Sequence, residues 1–156
     1  IYPDYKLQTP PIYTGSVAYL FGDRALLSFD YSYKDYSSAK FKPKDDPAFA
    51  FQNDKMQQDL KGASIFRIGG EYRFMDWSFR GGYRFEESPY SNELTVGDLN
   101  GYSLGLGYNF GNIKLDIAYD AIEQDFAPKL YQTGLTDRAF INKNNSNVTV
   151  SLSIGI

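Results

Sequence analysis

Trp77-Ser78-Phe79-Arg80-Gly81-Gly82-Tyr83-Arg84-Phe85-Glu86 decides how this chain is read. Trp77, Phe79, Gly81, Tyr83 and Phe85 occupy alternate positions. Ser78, Arg80, Gly82, Arg84 and Glu86 fill the others. Side chains on a β-strand point to opposite faces in turn, so this stretch makes a strand with one apolar and one polar side.

The pattern spreads outward from there. Upstream, Phe66, Ile68, Gly70, Tyr72 and Phe74 oppose Arg67, Gly69, Glu71 and Arg73, and Leu27, Phe29, Tyr31 and Tyr33 oppose Ser28, Asp30, Ser32 and Lys34. Downstream, Tyr102, Leu104, Leu106, Tyr108 and Phe110 oppose Ser103, Gly105, Gly107 and Asn109. Ile113, Leu115, Ile117, Tyr119 and Ala121 oppose Lys114, Asp116, Ala118 and Asp120. Val148, Val150, Leu152, Ile154 and Ile156 oppose Asn147, Thr149, Ser151, Ser153 and Gly155. With a first strand over about Tyr13 to Phe21, the count is about seven. Residues 1–12 are an expected extension of that first strand, with a bulge or break at Pro10-Pro11, which lack two ladder donors.

The connections alternate in length. Short turns fall at Gly22-Asp23-Arg24, Met75-Asp76 and Gly111-Asn112, and long loops near 37–61, 89–98 and 123–145. Within the first long loop, Met56 and Leu60 lie at helical spacing, which predicts a short helix over 49–60. The Met75-Asp76 turn also sets a register. Residues equidistant from it must face one another, so Arg73 should oppose Ser78, Glu71 should oppose Arg80, and Arg67 should oppose Arg84.

Composition narrows the chemistry. The 156 residues include no Cys and no His. Disulfides, thiolate metal sites and Ser-His-Asp or Cys-His catalysis by this chain are thereby excluded. The net charge of -3 gives no basis for nucleic-acid binding. No apolar run reaches the roughly 18 residues that a membrane helix needs. The opening Ile1-Tyr2-Pro3 has no initiator Met or signal peptide, so a mature chain or a fragment is expected.

Alternation alone fits a soluble β-sandwich or a membrane barrel. Three features favour the barrel. Aromatics sort by height: Tyr19, Phe21, Tyr72, Phe74, Trp77, Tyr108 and Phe110 near the short turns, Tyr13, Tyr31, Tyr33, Tyr83, Phe85, Tyr102 and Tyr119 near the long loops, with Leu27, Ile68, Leu104, Leu106, Leu115 and Ile117 between them. The apolar faces carry no Lys, Arg, Asp or Glu. The polar faces carry charges of both signs. The fold expected is all-β: an antiparallel up-and-down transmembrane β-barrel in the outer membrane of a Gram-negative cell, with short periplasmic turns and long extracellular loops.

Gly81 to Tyr90 (GGYRFEESPY) resembles the strand-to-loop segment of the FadL-type outer-membrane transporters of long-chain fatty acids and aromatic hydrocarbons. Thr14 to Phe41 is similar to the hairpin that precedes it in that family. Gly70 to Phe74 (GEYRF), Gly101 to Asp120 and the closing strand follow in matching order, so the resemblance covers nearly the whole chain. It implies a fourteen-stranded barrel with an N-terminal hatch, of which residues 1–156 would be a single C-terminal segment supplying about the last seven strands. It further implies passive outer-membrane transport of hydrophobic small molecules, with no cofactor. Partners would be the hydrophobic ligand and outer-membrane lipid. The alternative is a structural or assembly barrel that recruits protein partners through its extracellular loops. A third class, an outer-membrane hydrolase, is disfavoured by the absence of His, and the chain is read as not an enzyme.

The candidate lumen-facing residues are Arg67, Glu71, Arg73, Arg80, Arg84, Glu86, Asp116 and Asp120. Either the set binds a fatty-acid carboxylate or holds the hatch, or it is a structural ladder of cross-strand ion pairs filling the lumen. Arg84 faces a like charge and must find Glu86 or another strand. Asp116 and Asp120 as a catalytic pair would need a cleft and a raised pKa, and a solvated role fits them better. Gly69, Gly82, Gly105 and Gly107 clear space for the hatch or a ligand, or ease sheet curvature, two readings that do not exclude each other. Asp45, Asp46, Asp54 and Asp59 match no calcium loop. Loop residues Phe41, Phe49, Phe51, Leu130, Phe140 and Ile141 either capture apolar ligand or pack on one another.

Overall fold

The Trp77–Glu86 strand forms over those residues, and its neighbours pair with it in chain order. The computed structural model describes residues 4–44, 46–92, 95–129, 131, 133–134 and 137–155. Leu130, Asp45 and Ile156 lie outside the described residues. The elements are β1 (Lys6–Gln8), β2 (Ile12–Phe21), β3 (Ala25–Asp35), a 3-10 turn (Tyr36–Ser38), β4 (Lys40–Lys42), α1 (Pro47–Asp59), β5 (Gly62–Phe74), β6 (Trp77–Glu86), β7 (Val96–Asn109), β8 (Ile113–Phe126) and β9 (Ile141–Ile154).

Seven strands form one antiparallel sheet in the order β2-β3-β5-β6-β7-β8-β9. Among the described residues β2 and β9 are its open edges, and the sheet is not closed on itself. The expected register holds: Arg73 faces Ser78, Glu71 faces Arg80, and Arg67 faces Arg84. Three tight turns join the strands at one end of the sheet. Gly22 and Gly111 take positive φ there (60° and 92°), a conformation open to glycine at little cost. Met75 adopts the same region at φ 53°.

The other end carries the long connections. The helix expected over 49–60 is present as α1, starting on an Asp46 cap whose carboxylate accepts the Ala48 N–H, with Pro47 in its first turn. Residues 4–11 do not extend β2, and the expected break falls at Pro10-Pro11. Ahead of the prolines the chain lies outside the sheet, where β1 pairs with β4 in a separate two-stranded ribbon; the chain joins the sheet only at Ile12. Pro10 and Pro11 cannot donate to a continuing ladder.

Two loops are also shorter than their sequence suggests. β7 begins at Val96, β8 runs on to Phe126 and β9 begins at Ile141, with β8 and β9 in register throughout from Ile113↔Ile154 to Phe126↔Ile141. The backbone ladder continues past the apolar band, but the alternation inverts. Beyond Ala121, Ile122 and Phe126 share the side of Asp116 and Asp120, while Glu123 and Asp125 share the side of Ile117 and Tyr119. A reading tied to one apolar face stops where that face stops.

Burial among the described residues falls mostly at the loop end, with Phe49, Ala63, Ile65 and Ala127 as buried apolar residues and Ser32, Asn53 and Ser88 as buried polar ones; Ser78, near the Met75-Asp76 turn, is also buried. The apolar face of the sheet stays uncovered. Leu104 is 66% exposed, Val150 63% and Leu152 62%. Aromatic side chains meet across strands at both ends of that face: Trp77 with Tyr108 near the turns (4.7 Å), and Tyr31 with Phe66 (5.1 Å) and Tyr83 with Tyr102 (5.8 Å) toward the loops.

Candidate functional site

The polar face of β3 to β8 forms an open trough of about 520 Å³. Alternation places all eight candidate residues on this face, and register decides which of them meet. They fall into two groups and one outlier.

The group nearer the turns is a connected ladder. Glu71 accepts from Arg73 Nε at 2.5 Å and from Arg80 Nε at 2.6 Å. Arg80 also gives Nη1 to Asp116 Oδ1 at 2.6 Å, and Lys114 Nζ stands 3.6 Å from Asp116 Oδ2. Glu71 is the expected cross-strand partner of Arg80. Asp116 is not adjacent to Arg80: it lies on β8, and β7 runs between them. The guanidinium crosses β7 where Gly105 and Gly107 present no side chain. A Cβ at Gly105 would sit 3.2 Å from Arg80 Cβ, and one at Gly107 would collide with Asp116 Oδ1. So these two glycines clear space for an ion pair that ties three strands together. The roles expected from sequence, clearance for the hatch or a ligand and relief of sheet curvature, do not include this one.

This geometry predicts a non-additive mutant cycle. Gly107→Ala should push Asp116 off Arg80 and cost about 1 kcal/mol, the worth of one such bond. In an Asp116→Ala background the same change should cost nearly nothing. Urea unfolding of the four proteins checks this, and additive costs would mean that Gly107 does not act through Asp116.

The second group lies toward the loops. Arg67 and Arg84 are directly opposed. Arg84 Nη2 is ion-paired with Glu86, as its like-charged neighbour required. Its Nε is buried without a hydrogen-bond partner among the described residues. Asp30 lies opposite Arg67 on β3 and lines the same trough. The candidate set omits Asp30; alternation puts it on the polar face of its strand, but its place opposite Arg67 depends on a connection that contains α1, which no turn count crosses. Gly69 and Gly82 face each other one row nearer the turns and keep the floor bare.

Asp120 stands apart and accepts from Asn147 Nδ2 at 3.0 Å. With Asp116 engaged by Arg80, the two carboxylates have separate partners and do not form a unit. The acidic residues of the first loop are also dispersed in role: Asp46 caps α1, and Asp59 pairs with Lys55 at 3.6 Å. Among the described residues no group of three or more acidic side chains converges on a metal-sized space.

The loop aromatics divide. Phe41 stacks on Phe49 (5.7 Å) and meets Tyr5 edge-on (5.4 Å), so these two pack to order the loop. Phe51 and Phe140 remain open to solvent, at 73% and 80% exposed, and Ile141 is half exposed.

No protein-family model matches the chain, and no curated protein matches it. No helix among the described residues is long and apolar enough to cross a membrane, which leaves strand-built spans untouched.

Proposed function

We propose that this sheet is part of an outer-membrane β-barrel of the FadL type, which lets hydrophobic small molecules such as long-chain fatty acids or aromatic hydrocarbons cross passively. The observation that carries the reading is the uncovered apolar face. Its exposed side chains are aliphatic and aromatic, with aromatic pairs meeting toward both ends, and a trough of paired charges lies behind it. A soluble sandwich would bury that face against a second sheet. In a bilayer the same face meets lipid, the aromatic rows sit at the two interfaces, and the charged face lines a watery lumen.

The strand directions support a larger closed structure. An odd number of antiparallel strands leaves β2 and β9 running the same way. Closing the sheet with antiparallel pairs alone therefore needs an odd number of further strands. Seven more would make fourteen, an even total of the kind bacterial single-chain barrels have. Closure would also satisfy the edge backbone groups, which are costly to leave unpaired in lipid. The exposed Phe51, Phe140 and Ile141 would then offer apolar contacts at the outer mouth.

Uptake of a labelled fatty acid and of an uncharged hydrocarbon, by cells with and without the gene, tests the proposal. Transport requires that deletion slow uptake and that the gene restore it. Unchanged uptake, with a stoichiometric protein partner recovered on the loops, would favour the assembly barrel instead. The same assay assigns Arg84. As a structural member of the upper group, Arg84→Ala should change both substrates alike and by less than about fivefold, the scale of a half-exposed ion pair. A loss of about tenfold or more confined to the acid would make Arg84 a carboxylate-binding group.

A further inference from the structure

The two-stranded ribbon beside the sheet carries lysines that form no ion pair among the described residues. β1 and β4 pair with Lys6 opposite Lys42, Leu7 opposite Phe41 and Gln8 opposite Lys40. Alternation puts Lys6, Gln8, Lys40 and Lys42 on one face and Leu7 and Phe41 on the other. The apolar face is anchored: Phe41 stacks on Phe49 of α1. Asn53 also holds the Phe41 backbone from both sides, its Oδ1 accepting the N–H (2.7 Å) and its Nδ2 donating to the carbonyl (3.2 Å). The lysine face is thereby held away from α1.

Two like charges directly opposed across strands destabilise a pair of strands. Here they face each other in a ribbon of three residues a side, which has few ladder bonds to absorb the cost. Among the described residues, Lys6, Lys40, Lys42 and Lys44 have no ion-pair partner. The nearest acid in sequence to Lys44 among these residues, Asp46, is committed to capping α1. Lys34 is placed over the Tyr36 ring, 4.5 Å from its centroid. Lys6 and Lys42 line a hollow of about 390 Å³ with Tyr5, Pro43 and a single carboxylate, Asp4. This cationic surface stands on a chain whose net charge is -3.

We infer that the ribbon is a docking surface for the phosphate groups of a phosphorylated glycolipid in the outer leaflet. The inference rests on the membrane reading above. Lysine ammonium groups are compact charges suited to phosphate. The ribbon leaves the sheet directly beyond Tyr13 and Tyr33, the loop-side aromatics of β2 and β3, which on that reading mark the level of the headgroups. Tyr5 supplies an aromatic wall against which a sugar ring can rest, beside the two lysines. The occupant thus brings the counter-charge that the ribbon lacks.

The test uses the protein at its full natural length, refolded in detergent micelles. Binding of bis-phosphorylated lipid A and of its dephosphorylated form is measured for wild type, Lys6→Gln, Lys42→Gln and the triple variant with Lys40→Gln. Resistance of the folded form to unfolding in SDS without heating is scored for each. Each lysine neutralised should weaken binding of the phosphorylated lipid about fivefold at low salt. The dephosphorylated lipid should bind weakly to all four, and inorganic phosphate at millimolar concentration should not displace the lipid. Folded variants that bind as wild type does would overturn the docking surface and leave the membrane reading standing. Displacement by inorganic phosphate would show a free-anion site and overturn the lipid assignment. A wild-type protein that does not insert into micelles would remove the membrane reading and this inference with it.

Discussion

If the sheet spans a bilayer as proposed, Ile117→Lys should sharply lower the stability of the protein there, and Ala118→Lys should not. Ile117 and Ala118 are consecutive on β8, so their side chains leave opposite faces of the sheet. Ile117 pairs with Leu106 and Val150 in the middle of the aliphatic band. A cation placed on the lipid face near mid-depth costs about 2–4 kcal/mol. Ala118 lies beside Gly105 on the charged face, between the rows of Asp116 and Asp120, where a lysine meets water and acid groups. Urea unfolding from lipid vesicles should therefore separate Ile117→Lys from Ala118→Lys by about two kcal/mol or more. Cysteine labelling gives an independent measure: a charged thiol reagent should reach position 84 and fail to reach position 106. Equal costs for the two lysines, or equal labelling, would return the sheet to the soluble-sandwich reading.

Arg80→Ala should be the most damaging single change on the charged face. Arg80 bridges Glu71 and Asp116, whose side chains are only 17% and 22% exposed, and it links β5, β6 and β8. Its removal takes away two charge-assisted bonds, although Arg73 stays on Glu71 and Lys114 stays near Asp116. With Arg80 itself 32% exposed, solvent screening reduces the loss to about 2–3 kcal/mol. Arg80→Lys should recover about half of that, because a single ammonium cannot reproduce a planar fork aimed at two carboxylates on different strands. If Arg80→Ala costs less than about 0.5 kcal/mol, the ladder is solvated and does not hold the sheet together.

Much of this molecule is legible in residue order alone. Strict period-two alternation allows one placement of side chains on a strand, so the seven strands, their faces and the tight turns follow from residue order. The Arg67–Arg84 opposition and the Glu71–Arg80 bond followed from counting outward from Met75-Asp76, because a two-residue turn leaves no freedom of register. What was missed lies where the local pattern carries no information about a third strand. Asp30 belongs to the trough only because β5 lies beside β3 with Arg67 opposite it, across a connection that contains a helix. The length of β8 and β9 was under-read because the ladder persists after the apolar face has inverted.

The sequence by itself determined which residues share a face, because alternation is a property of one strand. Only the tertiary structure decided which of those residues touch. Arg80 reaches Asp116 over the bare backbone of Gly105 and Gly107, Lys6 is set against Lys42 in a ribbon that leaves the sheet, and Phe41 is anchored to α1 through Phe49 and Asn53. The first two join segments far apart in the chain, and the third folds a strand back onto the helix that follows it. They depend on strand order, on the space between strands and on where a loop returns, and no single segment encodes any of those.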